Sequence, residues 1–247
     1  MDGQLQYLIN MIKKIIKNKL PRFYKKAVKI KNNLTPFYKK SYSQFGEDMV
    51  LNSFIIEENI QKGFFIDIGA YHPKKYSNTY FFYKKGWSGI NIDANPGSMR
   101  KFNKHRKRDI NIEVAIDNTE KEKEIFLYED GAYNTLSKNR VNILKNEEIK
   151  IKEIKKIKTQ KLTNILDKYL SNNQLIDFMS IDVEGLDLEI LKSNDWNKYK
   201  PKFILIELHF NNVKEIFNNN VYKFLIEKNY KLISIIRITL LFKYKYE

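Results

Sequence analysis

The sequence has no cysteine, few histidines and tryptophans, and no long apolar stretch. Without cysteine the chain can form no disulfide, bind no metal through thiolates and use no cysteine nucleophile. Its apolar stretches, such as 203–208 and 232–236, are no longer than a strand, whereas a membrane-spanning helix needs about 20 apolar residues. The amino terminus has no continuous apolar segment before a small-residue cleavage site, so we predict no secretion signal and expect a cytoplasmic protein.

Glycine is also scarce, and neither of the common phosphate-binding glycine motifs occurs. A dinucleotide fingerprint would need G-x-G-x-x-G after the first strand of a sheet. The residues that follow Gly69 are Ala70, Tyr71 and His72, which disfavours NAD and FAD. The pattern G-x-x-x-x-G-K-[ST] is absent as well, which excludes a P-loop nucleotide hydrolase.

Acidic residues are nearly missing from the first forty positions. The whole chain has a net charge of +16, and residues 1–40 contain eleven lysines or arginines against one acid. Residues 4–19 place apolar side chains at helical spacing opposite lysines, which predicts a basic amphipathic helix that ends near Pro21. Three outcomes are open for this N-terminal extension: it contacts an anionic membrane surface or a partner, it packs on the body or on a second subunit of a homo-oligomer, or it is disordered.

Beyond residue 41 apolar strands alternate with helices. This pattern predicts one α/β domain over 41–247, with a mostly parallel sheet covered by helices on both faces. The lysine- and glutamate-rich segment 138–158 is interpreted as a solvent-facing helix or a flap. The predicted strands are 63–68, 88–93, 110–115, 124–128, 178–181, 203–209, 230–235 and 238–244, and the predicted helices are 44–58, 78–85, 162–170, 186–193 and 213–228.

Polar residues at the ends of the first strands indicate a nucleoside ligand. Ligands of open α/β sheets bind at the carboxyl ends of the strands. Gly69 allows a close approach of backbone to ligand, and Asp67 is placed to meet an ammonium group. Asp93 ends the second strand, where a carboxylate can accept both ribose hydroxyls. Asp117, after the third strand, either contacts an adenine amino group or serves as a turn residue.

Acids and a histidine follow the later strands. Asp182 stands at a strand tip, where a carboxylate is costly to bury without a compensating partner. Glu207 and His209 point to the same face because side chains alternate along a strand. His72 also falls at a strand tip, whereas His105 lies in a basic run that indicates a solvated surface. The chemistry therefore centres on Asp182, Glu207 and His209.

Taken together, these motifs resemble the FkbM-type methyltransferases over about residues 41–210. The resemblance implies a Rossmann-like class I methyltransferase fold with a seven-stranded sheet, S-adenosylmethionine as methyl donor, and O-methylation of sugars in capsule, lipopolysaccharide or natural-product pathways. The motifs are SQFGED at 43–48, FFIDIGAYHP at 64–73, SNT at 77–79, GWSGINIDANPGSM at 86–99, IDVEGLDLEIL at 181–191 and IELH at 206–209. The cofactor contacts that follow from this resemblance and from the strand ends are Gln44, Asp67, Gly69, Ala70, Asn78, Thr79, Asp93, Ala94, Asn95, Asp117 and Asp182.

Two mechanisms fit these residues. Methyl transfer to a sugar hydroxyl requires an aligned acceptor oxygen and removal of its proton. His209 or Asp182 can act as general base, with Glu207 beside them. Alternatively, Asp182, Glu207 and His209 bind Mg²⁺ or Mn²⁺, which acidifies the hydroxyl.

Three other functions remain open at the level of sequence. The net charge favours a nucleic-acid methyltransferase or nucleic-acid-binding protein. We expect no nucleic acid partner, because the excess charge is concentrated in residues 1–40 and no Asn/Asp-Pro-Pro-aromatic motif occurs. A non-catalytic S-adenosylmethionine-binding scaffold is the second alternative. A nucleotide-sugar glycosyltransferase is the third, because Asp182-Val183-Glu184 mimics a D-x-D metal motif.

Overall fold

A computed structural model describes residues 11–12, 14–34, 39–171 and 173–246. The chain divides into two compact units, Met1–Lys40 and Ser41–Glu247. Among the described residues, no helix is both long enough and apolar enough to cross a bilayer.

The N-terminal unit is helical on both sides of Pro21. Residues 14–19 are helical, whereas positions 4–10 and 13 of the predicted helix 4–19 lie outside the described residues. The helix that follows them, α1, runs over Pro21–Leu34. Proline is well tolerated at the first position of a helix because the N–H that it lacks would have no partner there. The described part of the predicted helix thus ends at residue 19, just before Pro21 as predicted, and Pro21 begins the separate helix α1.

The second unit is built on a mixed, mostly parallel seven-stranded sheet with the order β3-β2-β1-β7-β8-β10-β9. Strands β1, β2, β3, β7 and β8 are parallel, and β10 pairs antiparallel with both β8 and β9. This arrangement confirms the predicted fold class. The strands of this sheet are β1 Phe64–Ile68, β2 Ser88–Asp93, β3 Ile110–Glu113, β7 Phe178–Ile181, β8 Phe203–Glu207, β9 Tyr230–Ile236 and β10 Thr239–Tyr244.

A second, three-stranded sheet is formed by strands that lie between β3 and β7 in the sequence. It consists of β4 (Ala115–Ile116), β5 (Glu122–Leu127) and β6 (Glu153–Gln160), in the order β4-β6-β5. The predicted strand 110–115 is thus divided between two sheets. The interpretation of 138–158 as one helix or flap was wrong in its second half, which forms β6. Strand β6 is largely exposed, and cross-strand ion pairs such as Lys156–Glu122, 3.3 Å apart, connect it to β5.

The helices cover both faces of the large sheet, as the alternating pattern predicted. The predicted helix 213–228 is interrupted, because Asn219 is extended and its side chain accepts the N–H of Val221 to cap the next helix. The helices of this unit are α2 Glu47–Glu57, α3 Tyr80–Lys84, α4 Met99–His105, α5 Lys138–Asn146, α6 Leu162–Tyr169, α7 Asp187–Lys192, α8 Val213–Asn218 and α9 Asn220–Glu227.

Each face of the large sheet contributes to a separate apolar core. Ile66 and Ile68 of β1 belong to a core that extends under α6, α7 and α9. Phe65 packs in the core on the other face with Phe82 and Trp87. Because side chains alternate along β1, Asp67 is on the same face as Phe65 and is only 5% exposed.

Gly69 allows the ends of β1 and β7 to meet. Its φ is +79°, and a Cβ at this position would lie 1.7 Å from the carbonyl oxygen of Asp182. The sequence interpretation reserved this space for a ligand, but the Asp182 backbone occupies it. Gly69 is therefore needed first of all for packing between strands, although it also lines the cavity described below.

We expect Gly69→Ala to destabilise the fold much more than Gly86→Ala. Both glycines have positive φ, but nothing lies within 4 Å of a Cβ built at Gly86. Gly86→Ala, the control, should lower the free energy of unfolding by about 1 kcal/mol because of backbone strain alone. Gly69→Ala should cost a further ~1–3 kcal/mol because backbone atoms must move apart. Urea denaturation of both variants measures the difference, and equal destabilisation would contradict the packing role.

Candidate active site

A cavity of about 410 Å³ opens at the carboxyl ends of β1, β2, β7 and β8. This is the edge of the sheet at which the sequence placed the ligand. Its other wall is the segment 130–136, which follows β5 and leads into α5. The cavity joins an apolar end, near β2 and β4, to an end rich in carboxylates, near β7 and β8.

Asp93 is fixed at the end of β2 by two backbone groups. Its Oδ2 accepts the N–H of Tyr71 at 2.8 Å, and its Oδ1 accepts the N–H of Asn95 at 2.7 Å. Burial raises the pKa of Asp93, although these two hydrogen bonds oppose the shift. Each carboxylate oxygen retains a second lone pair, and Asp93 lines the cavity. It is therefore oriented to accept two more donors from a ligand.

The apolar end of the cavity suits a flat heterocycle. Ile92, Val114 and Ile116 line it, and Ala94 and Asn95 form the adjacent turn. Apolar walls with a few oriented polar groups are typical of small-molecule sites. Asp93 beside this wall offers acceptors for a ribose next to a place for a base. These residues fit an adenosine-type ligand without a pyrophosphate.

The other end of the cavity holds Asp182 and Glu207. Asp182 is exposed to the cavity that it lines. The surrounding protein, followed by the neighbouring carboxylates of Glu207 and Glu184, raises its pKa well above the ordinary value. Desolvation, followed by the charges of Glu184 and Asp187, raises the pKa of Glu207 to about 7. A carboxyl group that titrates near neutral pH is well matched to proton transfer.

His209 lies at the rim of this acidic end. Its Nε2 is 3.3 Å from Oε1 of Glu207, and its side chain is 62% exposed. His209, Glu207 and Asp182 all line the same cavity, so the structure brings together the three residues that were predicted to be catalytic.

The proposed metal site of Asp182, Glu207 and His209 is not supported. Within the described residues, no group of three or more histidine, aspartate or glutamate side chains converges as metal ligands would. His209 extends toward solvent, while the neighbouring carboxylate of Glu184 is directed to an arginine instead.

An ion pair that sequence reasoning missed borders the acidic end. Arg140 Nε is 2.8 Å from Glu184 Oε2, and both side chains are less than one-fifth exposed. Arg140 is the only lysine or arginine among the described residues that line the cavity, which also contain five carboxylates. It lies in the first turn of α5, within the lysine-rich segment, where its sequence gave no signal that distinguished it from the solvated lysines.

The segment 130–136 belongs to the region after residue 130 that the family resemblance associates with the acceptor site, and it lines the cavity. Asn134 Nδ2 donates to Asn95 Oδ1 at 2.7 Å, and Thr135 Oγ1 donates to the carbonyl oxygen of Glu184 at 3.0 Å. These contacts join the segment to the ends of β2 and β7. The residues of this segment that line the cavity are Asp130, Gly131, Ala132, Tyr133, Asn134, Thr135 and Leu136.

Asp67 does not line the cavity, and this corrects its expected contact with an ammonium group. Thr79 Oγ1 donates to Asp67 Oδ2 at 2.7 Å, and Arg106 Nη2 donates to Thr79 Oγ1 at 3.0 Å. Burial raises the pKa of Asp67 to about 6 in spite of these partners. Asp67 is therefore part of a buried polar network beneath the first loop.

Arg106 is the centre of that network and is fully buried. Its Nε donates to Asp109 Oδ2 at 2.7 Å, and its Nη1 donates to the carbonyl oxygen of Pro73 at 3.1 Å. The guanidinium also stacks on Tyr83, 4.7 Å from the ring centroid. Arg106 thus fixes the loop that follows β1, and through it the N–H of Tyr71 that binds Asp93. The basic run 101–108 gave no sign that one of its members is buried.

The remaining predicted contacts divide into two groups. Gln44, Gly69, Ala94 and Asn95 line the cavity together with Asp93 and Asp182. Three others do not: Ala70 packs against Met99 and Phe102, Asn78 donates to Ser180, and Thr79 belongs to the Arg106 network.

Three further polar residues lie away from the cavity lining. Asp117 is buried and pairs with Lys123, which agrees with a structural role. His72 Nδ1 accepts backbone N–H groups from its own loop. His105 is exposed, as predicted.

Comparison with known proteins identifies one family. A model of the methyltransferase FkbM domain matches residues 67–232, which include β1, β2, β7 and β8. No curated protein sequence matched the chain.

Solved structures show only distant likeness. The FkbM methyltransferase of Methylobacillus flagellatus is 12% identical, with a TM-score of 0.44 over 74% of this chain and 44% of that chain. This chain thus spans less than half the length of that protein. The pre-rRNA processing protein fibrillarin of Methanococcus jannaschii is 13% identical, with a TM-score of 0.42 over 76% of this chain and 68% of that chain. A putative caffeoyl-CoA O-methyltransferase of Staphylococcus aureus is 10% identical, with a TM-score of 0.42 over 98% of both chains.

Proposed function

The chain belongs to the FkbM family of S-adenosylmethionine-dependent methyltransferases, and from this we propose that it methylates a sugar hydroxyl. One observation carries the proposal. A single cavity joins the Asp93 nucleoside site to a cluster of proton-accepting groups formed by Asp182, Glu207 and His209.

The cavity lining supports binding of a cationic methyl donor. The whole chain is strongly basic, yet the described lining contains five carboxylates and one guanidinium. S-adenosylmethionine supplies a methyl group on a positively charged sulfur, which such a lining attracts. Asp93 would hold the ribose, and Ile92, Val114 and Ile116 would flank the adenine.

Glu207 is the best-placed general base. Its raised pKa lets it hold a proton near neutral pH, and its neighbour His209, 3.3 Å away, can pass that proton to solvent. Asp182 shares the acidic end, and mutual repulsion favours one proton on the pair. In this proposal Glu207 acts as base together with Asp182 and His209, whereas the sequence suggested either His209 or Asp182 alone.

A polyhydroxylated acceptor suits this end of the cavity. Carboxylates accept, and the guanidinium of Arg140 donates, the hydrogen bonds that sugar hydroxyls make. A polyanionic nucleic acid would meet five carboxylates in the described lining, which disfavours that alternative. The acceptor in this proposal is a monosaccharide unit, free or within a glycan, or nucleotide-activated with its phosphates outside this acidic lining.

A mass-spectrometric screen tests this function. Purified protein is incubated with S-adenosylmethionine and a panel of nucleotide-sugars and glycans, with a short RNA as the comparison acceptor. A mass gain of one CH₂ unit in a sugar, together with formation of S-adenosylhomocysteine, supports the proposal. Methylation of RNA alone, or binding of the cofactor without turnover on any acceptor, contradicts it.

We expect His209→Ala to keep its affinity for S-adenosylmethionine and to lose part of its turnover. His209 is exposed at the rim and makes no contact with Asp93, so the nucleoside site should be unchanged. Loss of the proton path from Glu207 should lower kcat by about 10-fold or more. Steady-state kinetics and calorimetry on the same preparation separate the two effects, and full activity would remove His209 from the mechanism.

A further inference from the structure

The N-terminal unit has an amphipathic surface that the methyl-transfer site does not use. Phe23, Val28 and Ile30 of α1 are 65%, 37% and 49% exposed, and Leu20 before them is 57% exposed. At helical spacing these residues and Ala27 fall on one side, over an arc of about 160°. The opposite side carries Arg22, Lys25, Lys26 and Lys29.

The residues before α1 continue the same composition. Met11, Ile12 and Ile15 are 43–47% exposed, and lysines at 14, 17 and 19 alternate with them. No acid lies in the first turn of α1, and Arg22, Lys25, Lys26 and Lys29 make no ion pair with another described residue of the N-terminal unit. Exposed apolar side chains and unneutralised positive charge therefore occur on the same short segment.

We propose that residues 1–40 attach the protein to the surface of an anionic lipid bilayer. The helix would lie in the plane of the interface, with Leu20, Phe23 and Ile30 among the acyl chains and the lysines on the lipid phosphates. The attachment that we propose is peripheral. This inference is independent of the acceptor that the enzyme methylates.

Charge complementarity selects this occupant over two others. A second copy of the segment would bring two sets of eleven basic residues, each with a single acid, against each other. A nucleic acid would neutralise the basic side but would leave Phe23 and Ile30 in water. An anionic membrane offers acyl chains to the apolar side of the helix and phosphates to its basic side at the same time.

Vesicle co-sedimentation of the full-length protein tests the proposal. Vesicles of phosphatidylcholine are compared with vesicles that also contain phosphatidylserine, at low and high salt. Phe23→Glu removes part of the apolar side, and Lys25→Glu with Lys29→Glu removes part of the basic side. The matched controls change the body instead, with Leu175→Glu, where the residue is 80% exposed, and with Lys214→Glu together with Lys223→Glu.

The wild-type protein should bind only the anionic vesicles and release at high salt. Each variant in α1 should lower the vesicle partition coefficient by about 10-fold or more, while the two controls should bind like wild type. Absence of binding, or equal loss in the body controls, overturns the proposal. So does a wild-type dimer that Phe23→Glu dissociates without any vesicle binding, or binding to RNA in place of vesicles.

Discussion

Replacing Glu207 by glutamine is expected to lower kcat by about 10²–10⁴-fold, the usual contribution of a general base. Glutamine keeps the size of the side chain but cannot accept a proton at neutral pH. The pKa of Glu207 is raised to about 7, so wild-type turnover should fall as the pH is lowered through that value. Affinity for S-adenosylmethionine should change little, because Asp93 lies at the other end of the cavity.

The same variant should be more stable than wild type above neutral pH. A raised pKa means that folding disfavours the ionised carboxylate, so stability is lost as pH rises through about 7. Glutamine removes this cost at pH values above about 7, where each kcal/mol raises Tm by about 2–4 °C. Below about pH 5, where Glu207 is protonated in the folded state, the two proteins should melt alike.

Glu227→Gln is the matched control for Glu207→Gln. Glu227 is exposed at the end of α9 and does not line the cavity, so its replacement should change neither kcat nor the pH dependence of Tm. A Glu207→Gln enzyme that retains wild-type kcat would contradict the role of Glu207. So would a gain in Tm over wild type that is equal above about pH 7 and below about pH 5.

Replacing Asp93 by alanine is expected to raise the Kd for S-adenosylmethionine by about 100-fold. Each hydrogen bond to a charged group is worth about 1.5–3 kcal/mol, and 1.4 kcal/mol corresponds to a factor of ten. Asp93 also accepts the N–H groups of Tyr71 and Asn95, so the loop after β1 could loosen in this variant. Asp93→Asn keeps one carbonyl acceptor and the shape of the side chain, and should give an intermediate Kd.

Calorimetric titration measures these affinities, and thermal unfolding shows whether each variant is folded. Asp167→Ala is the control, because Asp167 is an exposed aspartate of α6 that does not line the cavity. It should bind S-adenosylmethionine nearly as well as wild type. An unchanged Kd in a folded Asp93→Ala protein would remove Asp93 from the site.

The positions of the main strands along the chain were predictable because the buried strands are short apolar runs. Phe178–Ile181 and Ser88–Asp93 have the bounds that their sequences indicate. Strand β6 was not predictable in this way. Its lysines and Ile154, which is 50% exposed, show no alternation between a buried and an exposed face, and the strand is defined instead by its pairing with β5.

The sequence predicted which strand ends carry the polar residues of the site, but it did not predict which groups these residues contact. Asp93 lies where the end of a parallel strand must place it, whereas Asp67, two residues before Gly69, is directed to the other face of the sheet. The buried Arg106 and the Arg140–Glu184 pair depend on loops that bring distant residues together. Such contacts are not encoded in any local pattern of residue types.

A crystal structure of the protein with S-adenosylhomocysteine would test the central claim most directly. We predict that the ribose hydroxyls lie within hydrogen-bond distance of the Asp93 carboxylate, with the adenine against Ile116 and the sulfur facing Asp182 and Glu207. A nucleoside bound elsewhere on the chain, or one whose ribose makes no contact with Asp93, would contradict it.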